Sequence, residues 1–525
     1  MPTISRHYVY AGERRVHYRR AGDGPPLVLL HSCPGSSVSM ESLVAPLAAR
    51  HTVIALDNPG FGESQGVGRS LPSIGDYALA LAETLDQLGI EQVDLIGHRT
   101  GAKIALDLAL QRPGRVRRLA LEGFAHYTPE ETVEMFAHYT PDMTPQSDGG
   151  HNLRTWMMWR NVQMWWPWFD QRPETRIVRP LTPPEVLHGQ VVDFLRAGKD
   201  YWQGYHAAFR YPGPTALCRL TIPTLLFATS TDPLRLHMPR LGELPPIITS
   251  DVVPAGTNPR LAAAERLLAF FEGSDLPAAP PPPAVRPIAG AVRRDYVVTS
   301  IGELLIRRAG DGVGRPVLLV HDLPGSGAAL EETLIGLGRP ALAIDLPGAG
   351  DSAALPGDPT PDAVAGVLAE ALDTLGIDRP DVVGIGLGGV IAKALARRGG
   401  AHRLVLEGLP EPDAERAEKE FPPLQPRSDG AHLVEAWGWW RDRQLWAPWY
   451  DRTPAHAVGR AVPTAEALHA GFLELIKGGR TYQAVARAAL AAPDGGAGDI
   501  PALAMETGSE GRAARLRAIL DAPTS

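Results

Sequence analysis

The chain carries the same long stretch of sequence twice, and this duplication constrains its fold more than any other feature. Residues 147–173 and 428–454 are identical at 13 of 27 aligned positions. Shorter segments recur in the same order, with 16–36 repeated at 305–326, 55–64 at 343–352 and 118–123 at 403–408. Copies this long are domain-sized and not the short units of a solenoid. We therefore expect two related domains in tandem.

Each copy alternates short apolar runs with helical patterns. Four runs of the first copy are typical of buried parallel strands: 26–31, 52–57, 93–97 and 118–123. Residues 75–88 and 101–111 between them have helical periodicity. This alternation predicts an α/β fold with a doubly wound, mostly parallel sheet. Ligands of such sheets bind at the carboxyl ends of the strands.

A proline-rich segment separates the copies. Four consecutive prolines at 280–283 cannot continue a helix or a central strand, so they predict a stiff exposed spacer. We place the first domain at 1–273, the linker at 274–294 and the second domain at 295–525.

Composition excludes several classes of function. The 51 basic and 59 acidic residues give a net charge of −8, which argues against a nucleic-acid binder. No run of 18 apolar residues is present, so we expect no membrane-spanning segment. The two cysteines suit a reducing compartment, and the N-terminus has no apolar signal-like run. We expect a cytoplasmic protein.

Three ordered motifs indicate a family. They are the loop His31–Gly35 after the first buried strand, a D-x-P-G-x-G-x-S turn at 57–64 and a G-x-x-x-G turn at 97–101. Together they resemble the α/β-hydrolase superfamily, and the resemblance covers both copies. It implies two tandem α/β-hydrolase domains, with helical tryptophan-rich caps at about 124–215 and 409–492. In this family the first loop and the nucleophile elbow supply the oxyanion amides, and a late acid and a final His complete a triad.

The sequence departs from that pattern at the catalytic positions. Arg99 stands where the family has its nucleophile, and Gly386 stands there in the second copy. A guanidinium stays protonated and cannot attack a carbonyl, and glycine has no side chain. Asp232 takes the acid position, but Thr257 replaces the histidine. The second copy has Glu510 near the acid position and reaches its C-terminus before a last strand and histidine, so we expect it to be shortened. A Ser-His-acid mechanism is excluded in both halves.

Arg99 is the strongest candidate for a functional residue. A side chain at the elbow lies at a helix N-terminus, where free N–H groups favour an anion. A guanidinium there would bind a carboxylate, a phosphate or an enolate. The alternative is that Arg99 pairs internally with Asp232 or Glu122 and fills a pocket without function.

The residues around the elbow carry further hypotheses. Resemblance to the family assigns His31, Cys33 and Thr100 to the oxyanion and substrate-binding region. A Cys33 thiol beside Arg99 could have a lowered pKa and act as a nucleophile, or it could be a small structural residue of the loop.

The predicted cap offers aromatic and imidazole candidates. Trp156, Trp159 and Arg160 have helical spacing and could present one face to the pocket. Asp148 and His151 form a D-G-x-H pattern, in which Asp148 caps a helix and His151 could replace the missing base.

We expect the first domain to bind a small, anionic or enolisable molecule. Chemistry of the lyase, isomerase or decarboxylase type would then involve Arg99, Asp232 and His151, without a metal or a cofactor. The alternative is a pseudoenzyme that binds a ligand or serves in assembly. The second domain would pack on the first or mediate oligomerisation.

Overall fold

The computed structural model describes residues 3–178, 180–459, 461–479, 481–498, 500, 502–505 and 511–522. It divides the chain into two compact units. The first unit comprises residues 1–144 and 154–284, and the second comprises 145–153 and 285–525.

An eight-stranded sheet forms the centre of the first unit. Its strands are β1 (Ser5–Ala11), β2 (Arg14–Ala21), β3 (Pro26–Leu30), β4 (Thr52–Leu56), β5 (Val93–His98), β6 (Val116–Glu122), β7 (Thr224–Thr229) and β8 (Ile248–Val253). The strand order is β1-β2-β4-β3-β5-β6-β7-β8, with antiparallel pairing of β1 with β2 and of β2 with β4, and parallel pairing elsewhere. Every residue of β3, β4 and β7 is buried, because helices cover both faces of the parallel part.

Nine α-helices begin within the described residues of the same stretch of chain. They are α1 (Glu41–Leu47), α2 (Ile74–Gln87), α3 (Thr100–Gln111), α4 (Pro129–His138), α5 (Gly150–Val162), α6 (Pro184–Ala197), α7 (Trp202–Arg210), α8 (Gly213–Leu217) and α9 (Pro259–Phe270). Helices α4 to α8 lie between β6 and β7 in the chain, where the cap is predicted. The first turn of α5 falls in residues 145–153 and so belongs to the second unit.

The second unit repeats this topology with a seven-stranded sheet. Its strands are β9 (Arg293–Thr299), β10 (Gly302–Ala309), β11 (Val317–Val320), β12 (Ala341–Ile344), β13 (Asp381–Ile385), β14 (Arg403–Glu407) and β15 (Ala502–Met505), in the order β15-β14-β13-β11-β12-β10-β9. Its helices are α10 (Glu331–Gly336), α11 (Pro361–Thr374), α12 (Gly388–Arg397), α13 (Ala414–Glu420), α14 (Ala431–Asp442), α15 (Ala465–Lys477), α16 (Thr481–Ala491) and α17 (Arg512–Leu520). Among the described residues no strand follows β15, so the described sheet has seven strands and no counterpart of β8.

Part of the predicted linker is hydrogen-bonded to the first unit. Its first part is held by the first unit, since Ala279 donates its N–H to the Gly24 carbonyl at 2.9 Å and Arg20 donates to the Pro280 carbonyl at 2.7 Å. The units divide after Ala284, and β9 already begins at Arg293. None of the described helices is long and apolar enough to cross a bilayer.

Candidate functional site

The elbow of the first unit is a sharp turn between β5 and α3. Arg99 is its central residue and has φ 53° and ψ −104°, a conformation that is strained for any residue other than glycine. The turn is tight because a Cβ on Gly97 or Gly101 would collide with neighbouring backbone. This geometry projects the Arg99 side chain beyond the carboxyl end of the sheet, as the motif predicts.

Asp232 is the ionic partner of Arg99. Nη2 of the guanidinium lies 3.3 Å from Oδ1 and 3.4 Å from Oδ2 of the carboxylate. The Arg99 side chain is 30% exposed and that of Asp232 9% exposed. Burial alone would raise the pKa of Asp232, but the charges of Arg99 and His98 and the hydrogen bonds from Leu234 and Arg99 together outweigh it and lower that pKa. The internal pair that the sequence left open is therefore formed with Asp232.

The Arg99–Asp232 pair leaves part of the guanidinium available. Nε of Arg99 is buried and has no hydrogen-bond partner in the described part of the chain. The guanidinium carbon lies 5.5 Å from the centre of the Trp166 ring, within the range of a cation–π contact. Asp232 also accepts the Leu234 N–H at 2.9 Å, so its carboxylate is fixed from two sides. Asp232 therefore orients Arg99 without occupying all of its donors.

A cavity of about 50 Å³ lies beside Arg99. Its polar and aromatic lining residues include Cys33, Thr100, Lys103, Tyr127, Tyr139, Trp166 and Tyr205. Burial raises the pKa of the three tyrosines, that of Tyr139 to about 12, so all three remain hydroxyl donors at neutral pH. This volume suits a ligand of a few non-hydrogen atoms.

Lys103 is a cationic residue of this cavity that sequence reasoning missed. It lies one helical turn after Arg99, and its residue surface is 3% exposed. Its ammonium donates to the Ala208 carbonyl at 2.7 Å. Burial lowers the pKa of Lys103 to about 7. The cavity is therefore lined by two basic side chains, those of Arg99 and Lys103.

A larger groove adjoins the cavity. It has a volume of about 880 Å³ and shares Tyr127 and Trp166 with the cavity. Glu134, Asp170, Arg172 and other charged side chains line its outer part. Trp166 thus lies between the small cavity and the open groove.

Cys33 and Thr100 are brought together as expected, but the thiol is not activated. Both residues line the cavity. Burial raises the pKa of Cys33 to about 12, although the neighbouring Thr100 side chain acts to lower it. The hypothesis of a thiolate nucleophile fails for this reason, and Cys33 is a small structural residue of the loop. The N–H of Thr100, the first residue of α3, has no carbonyl within its helix to bond.

In the second unit, the two main-chain amides beside the elbow bind a side chain of the same unit. Its elbow residue Gly386 has φ 52°, so the turn is the same as in the first unit. Oδ1 of Asp322 accepts the N–H of Leu323 and the N–H of Leu387, each at 2.8 Å. These residues correspond in sequence to Ser32, Cys33 and Thr100. A Cβ on Gly386 would collide with this carboxyl group. The carboxyl group of Asp322 therefore fills both the oxyanion position and the space of the missing nucleophile.

His31 holds the loop and does not bind substrate. One ring nitrogen accepts the Asn58 N–H at 2.8 Å, and the other lies 2.9 Å from the Ser32 carbonyl. Burial lowers the pKa of His31, which favours the neutral ring that this arrangement requires. His321 is held in the same way by Leu346 in the second unit. The substrate-binding assignment of His31 is therefore wrong.

Glu122 pairs with a different arginine. Its Oε1 lies 2.6 Å from Nη1 of Arg260, a residue of α9. In the second unit Glu407 makes the equivalent pair with Arg512 of α17. The proposed pairing of Glu122 with Arg99 is wrong because α9 supplies a closer cation, and Glu122 does not line the cavity.

The predicted cap residues lie outside the cavity. Trp156 is fully buried, and Trp159 packs against Phe194 with ring centres 6.4 Å apart. Neither these two residues nor Arg160 is part of the described cavity lining. Their helical spacing reflects packing within the cap. The tryptophan that reaches Arg99 is Trp166, which lies after the helix.

His151 cannot serve as the missing base of the first unit. It is fully buried and belongs to the second unit, where its Nε2 lies 3.0 Å from Nδ1 of His469. Its Nδ1 accepts the Gln146 N–H at 3.1 Å. Asp148 accepts the Gly150 N–H at 2.9 Å, in agreement with its predicted capping role.

The remaining triad positions do not restore a hydrolase mechanism. Thr257 is exposed in the turn before α9 and offers no imidazole. Glu510 lies outside the described residues. No group of three or more His, Cys, Asp or Glu residues in the described chain is arranged to hold a metal ion.

The first unit combines a mostly parallel sheet with a sharp strand-to-helix turn that carries Arg99 at its centre. Residues 25–237 match the family model for the alpha/beta hydrolase fold.

Several curated proteins are similar to part of the chain. An uncharacterized protein of Mycobacterium tuberculosis is 38% identical over 132 residues, which are 25% of this chain and 38% of that protein. The 2-hydroxymuconate semialdehyde hydrolase of Pseudomonas sp. is 40% identical over 127 residues, which are 24% of this chain and 44% of that enzyme. Haloalkane dehalogenase 2 of Mycobacterium tuberculosis is 32% identical over 121 residues, 23% of this chain and 42% of the enzyme. The chain thus spans less than half the length of these relatives, which include hydrolases.

Proposed function

We propose that the first unit binds a small carboxylate at Arg99 and acts on its carbonyl group without an acyl-enzyme. The observation that carries this proposal is an arginine at the elbow, in a cavity that also contains the first N–H of α3. Arg99 would donate through the exposed part of its guanidinium, since its side chain is 30% exposed, while Asp232 retains Nη2. The oxyanion amides would then stabilise negative charge on an enolate oxygen, as amides do in acyl transfer.

The second unit supports the choice of a carboxylate over other anions. There the equivalent pair of amides already holds a carboxyl oxygen, that of Asp322. In the first unit the corresponding residue is Ser32, which is too short to take this position. The position is thereby left to a ligand, and the guanidinium of Arg99 adds a charge-assisted contact.

Binding can be tested with pyruvate, the smallest ligand that has both a carboxylate and an enolisable carbonyl. Calorimetry on the full chain should show saturable binding, and Arg99→Ala should weaken it roughly 10- to 150-fold, the effect of one charge-assisted hydrogen bond of about 1.5–3 kcal/mol. Arg115→Ala is the matched control, because Arg115 pairs with Asp86 on the surface of the same unit. Equal binding by the wild type and Arg99→Ala would contradict the proposal.

Catalysis needs a separate readout. In D₂O, proton NMR should show loss of the pyruvate methyl signal faster with the wild type than with Arg99→Ala, because enolate formation exchanges those protons.

A non-catalytic role is the second candidate, and one observation favours it. Arg99 already has Asp232 as a partner, and the cavity holds only about 50 Å³. A ligand-binding pseudoenzyme would bind pyruvate and lose that binding in Arg99→Ala, but it would not accelerate the methyl exchange.

A further inference from the structure

The lysines of this chain differ in how their charge is balanced. The sequence has five: Lys103, Lys199, Lys393, Lys419 and Lys477. Lys393 and Lys419 pair with Asp494 and Glu415, and Lys199 is exposed. The side chain of Lys477 is only 4% exposed, but its ammonium lies 3.1 Å from Asp351 and 2.7 Å from Glu474. Lys103 is equally buried and, among the described residues, has no carboxylate partner.

The surroundings of Lys103 favour the uncharged amine. Its single described hydrogen-bond acceptor is the Ala208 carbonyl, and its Nζ lies 5.8 Å and 6.0 Å from the ring centres of Phe124 and Tyr127. A buried ammonium without a counter-ion loses its hydration and is costly. The resulting pKa of about 7 leaves a substantial fraction of Lys103 neutral at physiological pH. Desolvation of this kind turns lysine into a nucleophile.

The position of Lys103 relative to Arg99 fits a short oxo acid. The two residues are four positions apart, and the Lys103 N–H donates to the Arg99 carbonyl at 3.4 Å. Both side chains line the same cavity. A carboxylate on Arg99 would bring an adjacent carbonyl carbon within reach of Lys103.

We propose that Lys103 forms an imine with the carbonyl carbon of a small aldehyde acid or 2-oxo acid. The neutral amine attacks the carbonyl carbon, and the C=O electron pair moves to oxygen, which takes up the amine proton. The carbinolamine then loses water, so that one carbonyl and one amine give one C=N bond and one water, with no change in oxidation state. The specificity for acids rests on the proposed function of Arg99, whereas the reactivity of the amine does not.

The test is reductive trapping on the full chain. Glyoxylate is added with sodium cyanoborohydride at pH 7, and peptide mass spectrometry locates the resulting carboxymethyl group. We expect Lys103 to be modified first and Lys477, the buried paired lysine, to remain unmodified. Lys103→Met, which keeps a long side chain in the cavity, should remove the modification. Because Trp166 lies between cavity and groove, the same experiment is run on Trp166→Ala. Modification confined to Lys199 or the α-amino group in both proteins would overturn the proposal.

A neutral aldehyde separates the failure of this inference from that of the proposed function. With propionaldehyde, Lys103 should react in the wild type and in Arg99→Ala alike. With glyoxylate, Arg99→Ala should react about tenfold more slowly or worse, which corresponds to the loss of one charge-assisted contact. Equal glyoxylate rates in both proteins would remove the carboxylate role of Arg99 and leave the imine intact. Absence of reaction at Lys103 with both aldehydes, in the wild type and in Trp166→Ala, would refute the imine.

Discussion

Replacing Arg99 by alanine should destabilise the first unit in a pH-dependent manner. Removing one partner of a fully buried ion pair costs about 3–5 kcal/mol, because the other charge is left without compensation. Here the Arg99 side chain is 30% exposed and its shortest distance to Asp232 is 3.3 Å, so water screens the pair. We therefore expect a loss of about 1–2 kcal/mol at pH 7, between the values for exposed and buried pairs.

The pH dependence follows from Asp232. In the wild type its pKa is lowered, so the pair contributes stability above the unfolded-state pKa of about 3.9 and loses it as pH falls through the folded pKa. In Arg99→Ala, burial is left as the main influence and raises the pKa of Asp232. The variant therefore regains stability when the stranded carboxylate is protonated on acidification. The difference between the two proteins should be largest at pH 7, become smaller towards pH 4 as the stranded carboxyl group of the variant is protonated, and vanish only below the lowered wild-type pKa.

The assay must report on one unit of a two-domain chain, because a single unfolding free energy is not defined for the whole molecule. A suitable assay is hydrogen exchange on the full chain between pH 4 and 8, in which mass spectrometry follows the peptides of α3. The measured rates are corrected for intrinsic exchange. Arg99→Gly serves as a comparison, since glycine relieves the strain at φ 53° and should be about 1 kcal/mol more stable than Arg99→Ala. A loss of stability that is the same at pH 4 and pH 7 would refute the role given to Asp232.

Three further outcomes are expected. Iodoacetamide at pH 7 should modify the exposed Cys218 well before Cys33, because Cys33 is buried and its pKa is raised to about 12. Peptide mass spectrometry measures both modifications, and faster modification of Cys33 would contradict its structural role. A fluorophosphonate probe should label no serine stoichiometrically in the folded chain, because neither elbow has one; a single labelled serine would show that the elbow is misassigned. Gly386→Ala should destabilise the second unit by about 1–3 kcal/mol, because the new Cβ collides with Asp322. In an Asp322→Ala background the same substitution should cost clearly less. If the losses of the two single variants simply add in the double variant, the contact is not the cause.

Sequence alone predicted the frame of this protein because the frame depends on local patterns. Buried strands appear as apolar runs, and the elbow appears as two glycines around one residue. Both follow from sterics that act within a few positions, so the register of Arg99 and Gly386 could be assigned directly.

The partners of the charged residues could not be predicted in the same way. Asp232 and Glu122 end neighbouring strands, and both were open as partners of Arg99. The choice depended on Arg260, which α9 brings to Glu122 from far along the chain. Lys103 was missed because a lysine in a helical pattern usually marks a solvent face. Its one available signal was its position four residues after the elbow, on the side of α3 that faces the pocket.

The two elbows differ in the group that meets the main-chain amides beside them. Main-chain amides that converge on a point favour negative charge there, whichever group supplies it. In the second unit the chain itself supplies a carboxyl group, and this is compatible only with glycine at the elbow because the carboxyl group uses the space of a side chain. In the first unit Ser32 supplies none, and the elbow instead carries a cation that increases the demand for an anion. The two copies therefore differ at this point: in the second, the Asp322 carboxyl group accepts both amides, whereas in the first our proposal leaves the position to a carboxylate ligand.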